Sequence, residues 1–223
     1  MYLNLLLAAL PAIASAHVLQ KRDYWGPAFS SGPTAGGAKI VYAAMTLTPG
    51  LPPPNPKGDL FIWPGVGGDK DLLQVVFMTA ENCQADAESW CVQPYVAGPR
   101  YVNGPVGIAH ANDKIRIEYK LQADKVHWVQ SATNIATGKL LTSLTSDSGL
   151  HQSGVGTAVE CNKDCATTVS EHTYVDWEIR LDKADPNFAD TFGVSQGATY
   201  TGMTSEQGGK IWKIAKIVIP KMR

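Results

Sequence analysis

The residues with chemistry to offer are few, and they sit on alternating segments. Leu72-Leu73-Gln74-Val75-Val76-Phe77-Met78 carries one amide among apolar neighbours. Period-two alternation puts Leu72, Gln74, Val76 and Met78 on one face of a strand and Leu73, Val75 and Phe77 on the other. A lone Gln in such a place is costly to bury alone, so it is either tied to a loop or a polar handle in an apolar pocket. Residues 173–181 alternate too, with Tyr174, Asp176, Glu178 and Arg180 on one face and Val175, Trp177, Ile179 and Leu181 on the core side. In residues 114–121, Arg116 and Glu118 share a face. If these strands adjoin across a concave sheet, their charges become Arg–carboxylate pairs lining a cleft. Otherwise they form a solvated surface. Trp128 shares a face with Gln130, and Trp63 and Trp90 stand at strand ends, where aromatic rings wall pockets or pack cores.

Nucleophilic catalysis finds no support: there is no Gly-x-Ser-x-Gly, and no His has a Ser or Asp partner by motif. Asp176 and Glu178 lie about 7 Å apart along a strand, a spacing that suits a glycosidase pair, but Ile179-Arg180-Leu181 supplies no third acid. Gln74 followed by Asp176 or Glu178 matches the chain order of the glutamic peptidases. Those are secreted β-sandwiches that use a Gln and a Glu on one concave sheet.

Residues 1–16 read as a secretory signal. The apolar Leu5-Leu6-Leu7-Ala8-Ala9-Leu10 is followed by Ala14-Ser15-Ala16, and the run is too short to span a bilayer. Residues 17–22 form a pro-segment ending in the dibasic Lys21-Arg22, a kexin-type site typical of fungal secreted proteins. Cleavage after Ala16 alone exposes His17, whose amine and imidazole chelate copper, as in the lytic polysaccharide monooxygenases. His110, His127, His151 and His172 are then the candidates for a second ligand. Cleavage after Arg22 removes His17. The expectation is a mature domain of residues 23–223 with no metal or other cofactor, exported through the secretory pathway.

Without Lys21 and Arg22, 17 basic residues face 20 acidic ones, a net charge of about −3. No basic tract remains, which argues against nucleic acid or an anionic membrane as partner. The partner expected is a small organic substrate, and the sequence sets no oligomeric state. In an exported chain Cys83, Cys91, Cys161 and Cys165 are expected to form disulfides. Proximity favours 83–91 and 161–165 among the three possible pairings. There is no Asn-x-Ser/Thr sequon.

Period-two segments at 39–47, 59–63, 71–79, 114–121, 126–132, 139–145, 173–181 and 210–219 dominate, and only 185–190 suggests a helical turn. About ten strands without βαβ rhythm predict an all-β, antiparallel β-sandwich or jelly roll in a single domain, with a closed barrel as the alternative.

Asp23-Tyr24-Trp25-Gly26-Pro27, Ala35-Gly36-Gly37-Ala38-Lys39, Phe61-Ile62-Trp63-Pro64-Gly65 and Gly208-Gly209-Lys210-Ile211-Trp212 resemble a group of small secreted fungal β-proteins. That group includes the hetero-Diels–Alderases of tropolone–sesquiterpenoid pathways. The resemblance implies a [4+2] addition of a quinone methide to an apolar alkene such as humulene. Such a reaction needs an apolar pocket for proximity and one or two hydrogen-bond donors to the carbonyl. Gln74 and Arg116 are the candidate catalytic donors. Trp63, Leu72, Met78, Glu118, Trp128, Tyr174, Asp176 and Glu178 are the candidate substrate contacts. A non-catalytic carbohydrate-binding module is the alternative from another class, followed by a glycan-active or glutamic-peptidase-like hydrolase.

Overall fold

The computed structural model describes residues 22–56, 58–79, 83–162 and 169–222. The signal and pro-segment assignments through Lys21, and the expectations placed on His17 and Cys165, lie outside them. The elements are β1 (Arg22–Ser31), β2 (Ile40–Thr48), β3 (Asp59–Gly67), β4 (Leu72–Thr79), β5 (Ser89–Ala97), β6 (Val102–Asn103), β7 (Gly107–His110) and β8 (Ile115–Leu121). They continue with β9 (Trp128–Asn134), β10 (Leu140–Ser146), β11 (Gly154–Asn162), β12 (His172–Leu181), β13 (Gly193–Ser195), β14 (Thr199–Glu206) and β15 (Ile211–Ile219). A 3-10 turn at Phe188–Thr191 falls in the segment where a helical turn was expected.

These strands make two antiparallel sheets. The first runs β13-β1-β11-β3-β4-β5-β6, with β7 also on β5, and the second runs β10-β9-β8-β2-β12-β15-β14. Both are open, so the sandwich holds and the barrel does not. One core fills the space between the sheets, with Leu73, Val75 and Phe77 entering from the first and Ile115, Ile117, Tyr119, Trp128, Tyr174 and Trp177 from the second. Three core tryptophans also tie down loops. Trp90, Trp128 and Trp212 donate their indole N–H to the carbonyls of Gly50, Gly149 and Gly209 at 2.8, 2.7 and 2.9 Å.

The strand expected to stop at Trp63 runs on through Pro64 to Gly67. Proline has no N–H to give a ladder, and the β3–β4 pairs skip from Ile62↔Phe77 to Gly65↔Gln74. The gap is filled from the other sheet: the Tyr119 hydroxyl accepts from the Val75 N–H at 2.8 Å and donates to the Pro64 carbonyl at 2.7 Å. A side chain thus completes the ladder that the proline interrupts.

Cys83 and Cys91 form the expected disulfide. Cys161 is also disulfide-bonded.

Candidate functional site

A second apolar cluster lies outside the core, on the outer face of the first sheet. Trp63, Val76, Met78, Cys91 and Ala158 form it, with Ala28, Phe61, Leu72, Cys83 and Tyr95 packed against them. The alternation predicted for 72–78 puts Leu72, Gln74, Val76 and Met78 on this face. Strand register orders it in rows. Glu160, Phe61, Met78 and Cys91 lie abreast across β11, β3, β4 and β5. Two residues along, Ala158 and Trp63 lie abreast, as do Val76 and Gln93. The next row is Gly156, Gly65, Gln74 and Tyr95.

The two glycines leave Gln74 and its neighbour Tyr95 as the only side chains of the third row. A Cβ on Gly65 would come within 2.9 Å of the Leu73 carbonyl oxygen, and one on Gly156 within 2.8 Å of that of Phe29. The Leu72 and Gln74 side chains lie over Gly65, with Leu72 Cδ1 and Gln74 Cγ 3.1 and 3.4 Å from the place its Cβ would take. Gln74 is only 6% exposed, and its amide, which makes no hydrogen bond among the described residues, is not among the fully buried polar groups and so reaches the surface.

Three further polar groups share this face. Glu160, 3% exposed, accepts from the Trp63 indole at 3.1 Å. Gln93 donates to the Gly104 carbonyl at 2.6 Å and accepts from the Tyr95 hydroxyl at 2.6 Å. Burial, and then Tyr101 beside it, push the Tyr95 hydroxyl up to about 12, so it acts as a donor at any ordinary pH. Trp25 stands edge-on to Trp63 at 6.1 Å and extends the aromatic wall across β1. Sequence alternation missed Glu160, Gln93 and Tyr95 because β5 contains Pro94 and β11 opens with Gly154 and Gly156, both of which blur a period-two pattern.

The remaining candidates separate. Arg116, Glu118, Asp176 and Glu178 come together on the outer face of the second sheet, with the core between them and Gln74. Arg116 therefore cannot serve Gln74 as a fellow donor, and neither Asp176 nor Glu178 can share a water with it, since packed sheets lie about 10 Å apart. Arg116 instead donates to the Asp176 carbonyl at 3.2 Å. Tyr42 donates to Glu118 at 2.7 Å, Arg180 pairs with Glu178, and the Arg180 guanidinium lies 4.7 Å over the Tyr42 ring. Burial first, then the Glu118 contact, raise the Tyr42 hydroxyl.

Trp128 and Tyr174 are corrections as substrate contacts, because both are fully buried in the core. For Tyr174 the cause is local. β12 carries an extra residue relative to β2 between Val175 and Glu178, with Asp176 at φ +54°. The alternation flips there, so Tyr174 and Trp177 both point inward while Val175 and Asp176 stay outside. The Tyr174 hydroxyl bonds that of Thr157 at 2.7 Å.

Glu160 and Gln74 share a face, but they are two strands and four residues apart, roughly 16 Å between Cα atoms by strand spacing. Val76 follows Trp63 across the strands where an amide would be nearer the carboxylate. No three His, Cys, Asp or Glu among the described residues converge as metal ligands. His110 and His127 pair with Asp113 and Asp124, His151 with Asp71, and His172 is buried.

No family model matches this chain, and no curated protein matches it by sequence. Solved structures do match its fold. Scytalidoglutamic peptidase with a peptide-based transition-state analogue superposes with a TM-score of 0.55 at 13% identity, covering 86% of this chain and 97% of that one. SCP-B, a member of the eqolisin family of peptidases in complex with the tripeptide Ala-Ile-His, gives 0.51 at 14% identity, covering 86% and 96%. The chain therefore has the sandwich fold of these peptidases.

Proposed function

We propose that the protein binds a small, largely apolar organic molecule on the outer face of the first sheet, beside Gln74, and promotes a hetero-Diels–Alder [4+2] addition of a quinone methide to an apolar alkene. One observation carries this reading: the Gln74 amide, nearly buried among apolar side chains and glycines, is held by no other described group. A cycloaddition forms two bonds in one step without a nucleophile or proton shuttle. What it asks of the protein is orientation of the two partners and a donor to the developing oxyanion. Trp63, Val76 and Met78 supply apolar contact, and the Gln74 N–H supplies the donor. Arg116 has no part in it.

With humulene and an o-quinone methide released in solution, the protein is expected to raise the rate of adduct formation and favour one stereoisomer. Gln74→Leu is expected to lower that rate roughly tenfold to a hundredfold while the protein stays folded. Unchanged rate and stereochemistry in the presence of the native protein would sink the reading.

A second reading, acid peptide hydrolysis, rests on Glu160, a buried carboxylate beside Trp63 on a sandwich whose solved neighbours are peptidases. The separation of Glu160 from Gln74 counts against it. Hydrolysis of a protein substrate at acid pH, lost in Glu160→Gln, would favour this reading over the first.

Export belongs to the same proposal, with processing after Arg22. Terminal sequencing of protein secreted by its native host is expected to begin at Asp23; His17 would revive the copper chemistry.

A further inference from the structure

The outer face of the second sheet holds a hollow of about 290 Å³, lined by Asp176, Glu178, Gly202, Thr204, Lys213 and Ala215. Its origin is a kink that crosses three strands at one level. On β12, β15 and β14 the inward-facing residues are three apart instead of two: Tyr174 and Trp177, Ile214 and Ile217, Tyr200 and Met203. The pairs left outside are Val175–Asp176, Ala215–Lys216 and Thr201–Gly202. The three strands stay in register with one another, and the offset appears only against β2. Asp176 and Gly202 both take positive φ, +54° and +67°, on either side of Ala215. A Cβ on Gly202 would come within 2.5 Å of the Ala215 Cβ, so no larger residue keeps this surface. Coordinated bulges of this kind re-aim side chains and end regular pairing beside sites.

We propose that this hollow binds one or two rings of a neutral oligosaccharide. Its volume is near the lower end of the ~300–1,000 Å³ typical of small-molecule sites. Two of its three charges are matched, Glu178 by Arg180 and Lys213 by Glu206 at 2.6 Å, while the exposed Asp176 carboxylate has no ion-pair partner among the described residues. The Arg116 guanidinium is spent on the Asp176 carbonyl. A charged ligand therefore meets both signs and gains little. Sugar hydroxyls, which both donate and accept, can bond to carboxylate, ammonium and Thr204 hydroxyl alike, and bonds to charged partners are the stronger kind. The Ala215 methyl offers the small apolar patch on which a ring's C–H face rests. This site lies on the opposite side of the sandwich from Gln74 and stands or falls independently of the cycloaddition.

The test is titration of ¹⁵N-labelled protein with tetrasaccharides of β-1,3-glucan, β-1,4-glucan and chitin, followed by NMR. One of them is expected to bind with a Kd of about 1 mM or tighter, shifting the amides of Asp176, Glu178, Gly202, Thr204 and Lys213. Ala215→Gln fills the hollow from an exposed position without backbone strain and is expected to weaken binding at least about tenfold. Asp176→Asn should do the same by removing a charged acceptor. Absence of shifts with all three sugars, shifts confined to the Gln74 face, or binding indifferent to Ala215→Gln would each overturn the proposal.

Discussion

Tyr119→Phe is expected to lower the unfolding free energy by about 2–6 kcal/mol, a large effect for the loss of one oxygen atom. Phenylalanine fills the same space, so no cavity term enters. What is lost is the bridge between the Val75 N–H and the Pro64 carbonyl, two buried backbone groups that β-ladder pairing does not satisfy. Each is left unpaired in a dry core, at about 1–3 kcal/mol apiece. Burial holds the Tyr119 hydroxyl well above the ordinary tyrosine range, so it remains a donor throughout. Urea unfolding should show a lower midpoint with an unchanged slope. A midpoint within error of the native protein would mean that Pro64 and Val75 find other partners. Tyr174→Phe is the natural comparison, since it removes a hydroxyl that meets only the Thr157 side chain, and its cost should be the smaller.

Stability is expected to fall by about 3 kcal/mol as the pH drops from about 6.5 to about 4, through His172 alone. Burial pushes this imidazole down to about 4, outweighing the opposing bond to the Ser170 carbonyl. Its Nε2 has no hydrogen-bond partner among the described residues, and its ring stands edge-on to Tyr174 at 5.7 Å. In the unfolded chain the same group takes a proton near pH 6.5. Between those values the unfolded state binds more protons, so the stabilisation is complete above about 6.5, declines through the interval and levels off below about 4. His172→Phe keeps the ring contact, and its unfolding free energy should lack this component of the slope. A slope equal to that of the native protein would place the titrating group elsewhere.

Both residues show what the chain spells out and what it withholds. The strand at 72–79 is legible because nothing in it breaks alternation, and the same clarity puts Gln74 on its outer face. The strands that bring Glu160, Gln93 and Tyr95 to the same face are obscured by Pro94 and by Gly154 and Gly156, whose places depend on neighbours distant in sequence. Tyr174 was assigned to the wrong side because one extra residue in β12 flips the alternation, and only the pairing with β2 reveals it. Alternation gives the face of a strand but not the sheet it joins. That is why Arg116 and Gln74, both outward-facing, could be imagined together although the core lies between them.

The kink that hollows the second sheet has another consequence at its rim. β14 is the outermost strand there, eight residues long, and most of its side chains are exposed. A strand of that length with a free edge is a template for pairing with another chain. Gly202, left-handed in its middle, interrupts the regular row of N–H and C=O groups, so an incoming strand can follow the edge for only a few residues before losing register. The irregularity that hollows this sheet also shortens the stretch of edge on which another strand could pair.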